Sequence, residues 1–326
     1  MTKYPLRLEP YVKEVVWGGR WLANKLGRKG AEGAKLGESW EAYSNSIITN
    51  GAFSGKKIAE LFETYGTALF GAAAMRYPKF PLLVKFIDAH QNLSVQVHPD
   101  DAMAQRLENY PFGKTEFWYV IKAEKGAEIC YSLNNTPATR EDLAEAIRHN
   151  DLLRYVQRSP VKKGDVLFLP AGIVHALTEG VVVYELQQDC DITYRLYDWG
   201  RTEREMHVEK GVQAINLDYR NFKVTHAESI SYKGYHAAEL VACDYFTATL
   251  WQVEKQAQLK AAAESFTVLT VLGGKGELSS PSSEFVAQPL NKGDTVLIPS
   301  EVDYLLTPKI TSHPLEVIGC WLETRN

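Results

Sequence analysis

Cysteine is scarce and scattered in this 326-residue chain. Its four cysteines, Cys130, Cys190, Cys243 and Cys320, form no Cys-x-x-Cys pair. That excludes a zinc ribbon, a thioredoxin-type redox motif and a dense disulfide scaffold. An excess of one charge is missing too. Lys plus Arg total 36 against 40 Asp plus Glu, a formal net charge of -4, so nothing general attracts nucleic acid or an anionic membrane. No apolar run is long and uncharged enough to span a bilayer, and the start, Met1-Thr2-Lys3-Tyr4-Pro5-Leu6-Arg7, lacks the apolar core of a signal peptide. These absences predict a cytoplasmic protein with neither nucleic acid nor membrane as partner. What remains is an ordinary globular composition, 45% hydrophobic and 23% charged, in a chain long enough for about two domains.

Two stretches read as helices. Leu61, Phe62, Tyr65, Leu69 and Phe70 recur near helical spacing between about Ile58 and Arg76, and Leu143, Ile147 and Leu152 do so between about Arg140 and Val156. The rest reads as short strands punctuated by Gly, Pro and Asn: Phe80–Ile87, Leu93–His98, Glu116–Ile121, Ala127–Ser132, Asp165–Leu169, Val181–Gln187 and Thr193–Tyr197. Such a pattern predicts a mainly β sandwich or barrel. The segment 161–178 also aligns without gaps on 290–307, each copy reading Lys-Gly-Asp turn, apolar strand, Pro, short loop and strand. Two related β-barrel units explain the repeat. His175 of the first copy falls opposite Tyr304 of the second.

The run Leu93-Ser94-Val95-Gln96-Val97-His98-Pro99 alternates apolar with polar residues. In a strand, Leu93, Val95 and Val97 would enter a core while Ser94, Gln96 and His98 share the other face. A divalent metal needs three or four N, O or S donors, and Gln96, His98, Glu116 and His175 are the candidates. Taken singly, each of these residues can equally be a solvated or hydrogen-bonded structural side chain. Aimed from three strands of one barrel at one interior point, they form a metal site.

These residues carry a resemblance. Phe80-Pro81-Leu82-Leu83-Val84-Lys85, Leu93 to Asp100, Gly113-Lys114-Thr115-Glu116, Pro170-Ala171-Gly172-Ile173-Val174-His175-Ala176 and Thr193-Tyr194-Arg195-Leu196-Tyr197-Asp198 resemble the type I mannose-6-phosphate isomerases in their short bacterial form, as do Val16-Trp17-Gly18-Gly19 and Gly37-Glu38-Ser39-Trp40. The likeness covers most of residues 1–200 in order, and only the weaker cupin pattern continues it beyond about 220. It implies a mainly β fold of two cupin-like β-barrel (jelly-roll) units with added helices. The catalytic cupin domain would be residues 1–220, with helical insertions at about 55–78 and 140–158. Residues 221–326 would form a C-terminal cupin-like domain without metal.

The resemblance also implies a zinc-dependent isomerase interconverting mannose 6-phosphate and fructose 6-phosphate, with one Zn2+ per chain on Gln96, His98, Glu116 and His175. Lys85, Ser94, Lys114, Glu185, Asp191 and Arg195 match positions of the sugar-phosphate pocket. Their chemistry is compatible, since a phosphate and an anionic enediolate both call for cations, and Lys85, Lys114 and Arg195 can supply them. The proton-transfer base is open among Lys114, Glu185, Asp191 and a metal-bound water. Lys114 is preferred, on the expectation that neighbouring positive charge lowers its pKa. Arg195 has a competing reading as a surface ion pair with Asp191. The function itself has two others, a cupin enzyme of another metal-dependent reaction class and a non-catalytic sugar-phosphate-binding protein.

Overall fold

A computed structural model describes residues 3–310 and 313–323. By packing, the chain groups into two units, neither continuous in sequence. One comprises Val12–Ser39 and Lys85–His226, and the other the chain up to Tyr11, Trp40–Val84 and everything from Ala227 onward. The helix Ile58–Tyr65 therefore groups with the C-terminal strands, whereas Arg140–Arg148 groups with the strands that carry the candidate ligands. No helix among the described residues is long and apolar enough to cross a membrane.

The unit holding the candidate ligands contains a five-stranded antiparallel sheet in the order Tyr194–Tyr197, Val95–Val97, His175–Leu177, Glu128–Leu133, Val156–Pro160. The strands Asp165–Leu169, Glu116–Ala123 and Val181–Gln188 are neighbours in that order in a second sheet. Side-chain alternation splits the five-stranded sheet into two faces. On the outer face Val95, Val97, Cys130, Ala176, Tyr194 and Leu196 pack against Leu143 and Ile147 of the helix Arg140–Arg148 and Val212 of the helix Val208–Ala214. Ile129, Tyr131 and Leu177 turn the other way and meet Trp118, Val120, Leu167, Leu169, Val181 and Val183 of the second sheet. Gln96, His175 and Arg195 alternate with the outer set, so they enter the space between the sheets. Leu93 departs from the sequence expectation: the strand begins only at Val95, and Leu93 packs with Trp17 and Trp118 instead of with Val95 and Val97.

Both long helices expected from the sequence are shorter, for local reasons. The first runs Ile58–Tyr65 and then Thr67–Phe70, with a 3-10 turn over Ala72–Arg76. Gly66 and Gly71 interrupt it with φ of 44° and 80°, backbone conformations that cost a side-chain-bearing residue far more than glycine. The second helix stops at Arg148; Asn150 turns left-handed, and the chain continues as a 3-10 turn and the strand Val156–Pro160.

The other unit repeats the two-sheet plan. Thr267–Gly273, Leu315–Leu322, Phe246–Val253 and Tyr235–Ala242 are neighbours in one sheet, and Ala257–Lys260, Asp303–Pro308, Lys275–Ser279 and Gln288–Asn291 form the other. The space between them is filled by Val253, Leu269, Val271, Leu278, Val296, Tyr304, Leu306 and Val317. The fold is mainly β, in two cupin-like units with added helices.

The repeated turn is the same object twice. Asp165 accepts a hydrogen bond from the Lys162 amide at 2.9 Å, and Asp294 accepts one from the Asn291 amide at 2.9 Å. Gly164 and Gly293 adopt φ of 93° and 87°. Their amides donate at 2.8 Å to the carbonyls of Val120 and Val271.

Candidate active site

His175 faces Gln96 across one strand pair, and Arg195 faces Gln96 across the next. Gln96 is therefore the middle of a three-residue row along the inner face. Glu116 opens its own strand, with Trp118 two residues on and so on the same face. Glu185 lies opposite Trp118, and Gln187 opposite Glu116. His98 follows the Val95–Val97 strand, and its carbonyl accepts the Gly172 amide at 3.0 Å, which ties the Pro-Ala-Gly turn before His175 to His98.

His98, Glu116 and His175 are fully buried, and one ligand atom from each lies within 4.8 Å of the others. His98 Nδ1 is 2.9 Å from the carbonyl of Ile192, and His175 Nδ1 is 3.0 Å from that of Ile173. A carbonyl only accepts, so each Nδ1 carries the proton and each Nε2 presents a lone pair. The His175 Nε2 atom is 3.1 Å from Glu116 Oε1, and His98 Nε2 is 3.8 Å from Glu116 Oε2. Both Glu116 oxygens are buried and accept no well-directed hydrogen bond among the described residues. Two inward imidazole nitrogens beside a buried carboxylate are the chemistry of a divalent metal site, and the residues fit one. Gln96 Nε2 lies 3.4 Å from His175 Nε2, which puts the amide beside the same point.

Electrostatics keep the donors in ligand form. Burial and the Lys114 charge push His98 well below its ordinary value, toward neutral imidazole. Burial alone would raise Glu116, but the Lys114 ammonium beside it holds it well below the usual carboxylate range. Lys114 reaches two of these donors. Its Nζ lies 2.8 Å from Glu116 Oε2 and 3.1 Å from His98 Nε2. Burial works against its charge, whereas Glu116 and Glu185 raise its pKa.

A cavity of about 240 Å3, lined by Gln96 and Lys114 among others, reaches the three buried donors through these two side chains. That volume suits a small ligand. Ser94, Lys85, Glu185, Asp191 and Arg195 line it as well, so every pocket residue expected from the sequence is brought together. The Lys85 ammonium is buried 3.4 Å from Glu185, 3.6 Å from Asp191 and 4.0 Å from Glu38. Glu185 is pushed up by burial and by Glu116, against the pull of Lys85 and Lys114. Its Oε2 accepts the Trp118 indole N–H at 2.7 Å. Arg195 is not paired with Asp191, which meets Lys13 at 3.2 Å instead. It gives one N–H to the Glu205 carbonyl at 2.6 Å, and its buried Nε has no acceptor among the described residues.

Sequence reasoning gave no role to several lining residues, among them Trp118, Glu38 and Arg204. Trp118 was legible, being in phase with Glu116 on an alternating strand. Glu38 sits in the quoted Gly37-Glu38-Ser39-Trp40 string but received no role, and Arg204 carries no sequence signal at all.

Comparison with known proteins agrees with this geometry. The family model described as phosphomannose isomerase type I, catalytic domain, matches residues 6–128, and the mannose-6-phosphate isomerase cupin domain matches residues 236–306. Mannose-6-phosphate isomerase ManA of Bacillus subtilis (strain 168) is 38% identical over 309 residues, covering 92% of this chain and 94% of that protein. The mannose-6-phosphate isomerase of Streptococcus mutans is 33% identical over 91% of this chain and 93% of its own. The crystal structure of the mannose 6-phosphate isomerase from Bacillus subtilis superposes with a TM-score of 0.85 at 30% identity, covering 97% of this chain and 99% of the other. The chain belongs to the type I phosphomannose isomerase family and is an isomerase.

Proposed function

We propose that this enzyme interconverts mannose 6-phosphate and fructose 6-phosphate in the cytoplasm, with one zinc ion held by His98, Glu116 and His175 and by Gln96 as fourth ligand. The observation that carries the metal is the pair of histidines, each locked by its Nδ1–H to a backbone carbonyl so that both Nε2 atoms turn toward the buried Glu116 carboxylate. When bound, zinc supplies Lewis-acid polarisation of the sugar oxygens at the reacting carbons.

The chain's own residues divide the remaining work. Aldose–ketose exchange moves a proton between C1 and C2 through an anionic enediolate, so it needs a proton carrier and fixed cations. Glu185 fits the carrier better than Lys114. Trp118 fixes its Oε2, while its buried Oε1 accepts no hydrogen bond among the described residues. Lys114 serves as a fixed cation beside the reacting carbons, and Arg195 is a cation for the phosphate. Lys85, Ser94 and Asp191 line the same cavity and hold the sugar. Among the alternatives, oxygen chemistry is disfavoured by this concentration of ammonium and guanidinium groups.

A coupled assay with mannose 6-phosphate decides the matter, run before chelation, after it, and after adding zinc back to the stripped enzyme. Conversion that disappears with the metal and returns with zinc is the expected result, with elemental analysis finding one zinc per chain. No conversion by the zinc-loaded protein would overturn the proposal.

A further inference from the structure

The charges around the cavity fall into two groups. In the one that holds Lys114 beside His98, Lys85, Lys114 and Lys13 are met by Glu38, Glu116, Glu185 and Asp191 within 4.0 Å. Every ammonium there already faces a carboxylate, and carboxylates outnumber them. At the Arg195 end the balance is reversed. Asp198, nearly fully buried, is shared by two guanidiniums: Arg201 Nη2 lies 2.7 Å from Oδ1, and Arg204 Nε donates to Oδ2 at 2.8 Å with its Nη2 on Oδ1. One carboxylate thus braces two cations, and Arg195 adds a third. The exposed Glu205 is the other carboxylate acting on Arg195. Burial and then the Arg204 charge lower the Arg195 pKa. Both line the cavity. Arg195 Nε is buried without an acceptor, and Arg204 Nη1 has none among the described residues. An unsatisfied buried donor on Arg195 and a second guanidinium lining the same cavity make a place for a dianion.

We infer that Arg204, braced by Asp198, joins Arg195 in binding the phosphate of the substrate and so sets the preference for a phosphorylated sugar. The ammonium of Lys85, enclosed by carboxylates, stays with the sugar end. This inference rests on the sugar-phosphate reading given above. It fixes which way round the substrate lies, with its reacting carbons toward His98, Glu116 and Glu185 and its phosphate toward the turn that carries Asp198 and Arg204. Arg204 is a specificity-determining residue here and takes no part in proton transfer.

The test uses the full-length zinc-loaded protein and two readouts. With mannose 6-phosphate as substrate, Arg204→Ala should raise KM about 10- to 100-fold, the worth of one charged hydrogen-bonding partner, while kcat changes much less. Separately, inorganic phosphate should raise the melting temperature of the wild type and do so far less for the variant. A fall in kcat with KM unchanged, or equal protection of both proteins by phosphate, would overturn the assignment. If Arg204→Ala does not fold, Arg204→Lys carries the test: it keeps the charge but loses the two-point hold on Asp198, and an intermediate KM is expected. If the wild type does not convert mannose 6-phosphate at all, the functional reading fails, and phosphate protection alone then decides on the anion site.

Discussion

The two copies of the Lys-Gly-Asp turn share their hydrogen bonds and their glycine conformations, yet the strands that follow deliver opposite things to the interior. After the first turn comes His175, buried against Glu116 and Gln96. After the second comes Tyr304, equally buried, among Leu269, Leu278, Val296 and Leu306. Nothing but burial acts on the Tyr304 phenol, and it pushes the pKa up, so the hydroxyl is neutral and a poor divalent ligand. The backbone plan of a two-sheet unit therefore leaves function open. The few side chains that replace apolar ones between the sheets decide it.

Removing the interior residue from each copy should break the molecule in two different ways. His175→Ala takes away a ligand: isomerase activity should drop on the order of 10³-fold, and elemental analysis should show zinc largely lost. Tyr304→Ala leaves a cavity in an apolar core and should cost about 3–5 kcal/mol of stability. Zinc content and, below the melting transition, kcat should be kept. Full metal occupancy in His175→Ala, or zinc lost from folded Tyr304→Ala, would erase the contrast.

Within the first copy's unit, ligands and proton carrier can be separated. Glu185→Gln keeps the shape and the acceptor for Trp118 but cannot carry a proton. It should lower kcat by about 10²–10⁴-fold with zinc retained. If activity survives in Glu185→Gln and disappears in Lys114→Met with zinc still bound, the proton role returns to Lys114. Arg195→Ala should cost less, on the order of 10²-fold in kcat/KM, with folding and zinc content unchanged. Arg195→Lys should recover part of that, because one ammonium cannot reproduce a planar fork. Near wild-type kinetics for Arg195→Ala would return Arg195 to a surface role.

Alternation made much of this legible. Gln96 against Val95 and Val97, and Arg195 against Tyr194 and Leu196, have the period of a strand with one face on helices and the other on the cavity, and that period is visible without coordinates. His175 was marked by its contrast with Tyr304 in an aligned repeat. What the sequence could not convey was set by groups far apart in the chain. The ion pair of Lys85 with Glu185 joins residues 100 positions apart, and the brace on Arg204 depends on how the chain turns at Trp199, which has a φ of 58°. The grouping of Ile58–Tyr65 with the C-terminal strands is of the same kind, since nothing in that helix's own periodicity says what covers it.

The smallest expected effect tests whether the shared turn is as indifferent to function as the comparison implies. Asp165 and Asp294 each accept one backbone amide across the turn, but their surroundings differ. Asp165 is buried, with His226 Nδ1 at 3.0 Å, whereas Asp294 is partly exposed and pairs with Arg7 at 2.7 Å. Alanine at either site removes one turn hydrogen bond, worth about 1 kcal/mol. The buried Asp165 should cost more than the partly exposed Asp294, whose ion pair is screened by solvent. Urea denaturation should rank Asp165→Ala as the less stable of the two, with both retaining zinc and wild-type kcat. Loss of zinc from Asp165→Ala at a denaturant concentration where the protein remains folded would show that the turn positions His175, and that scaffold and site are coupled in one copy of the repeat.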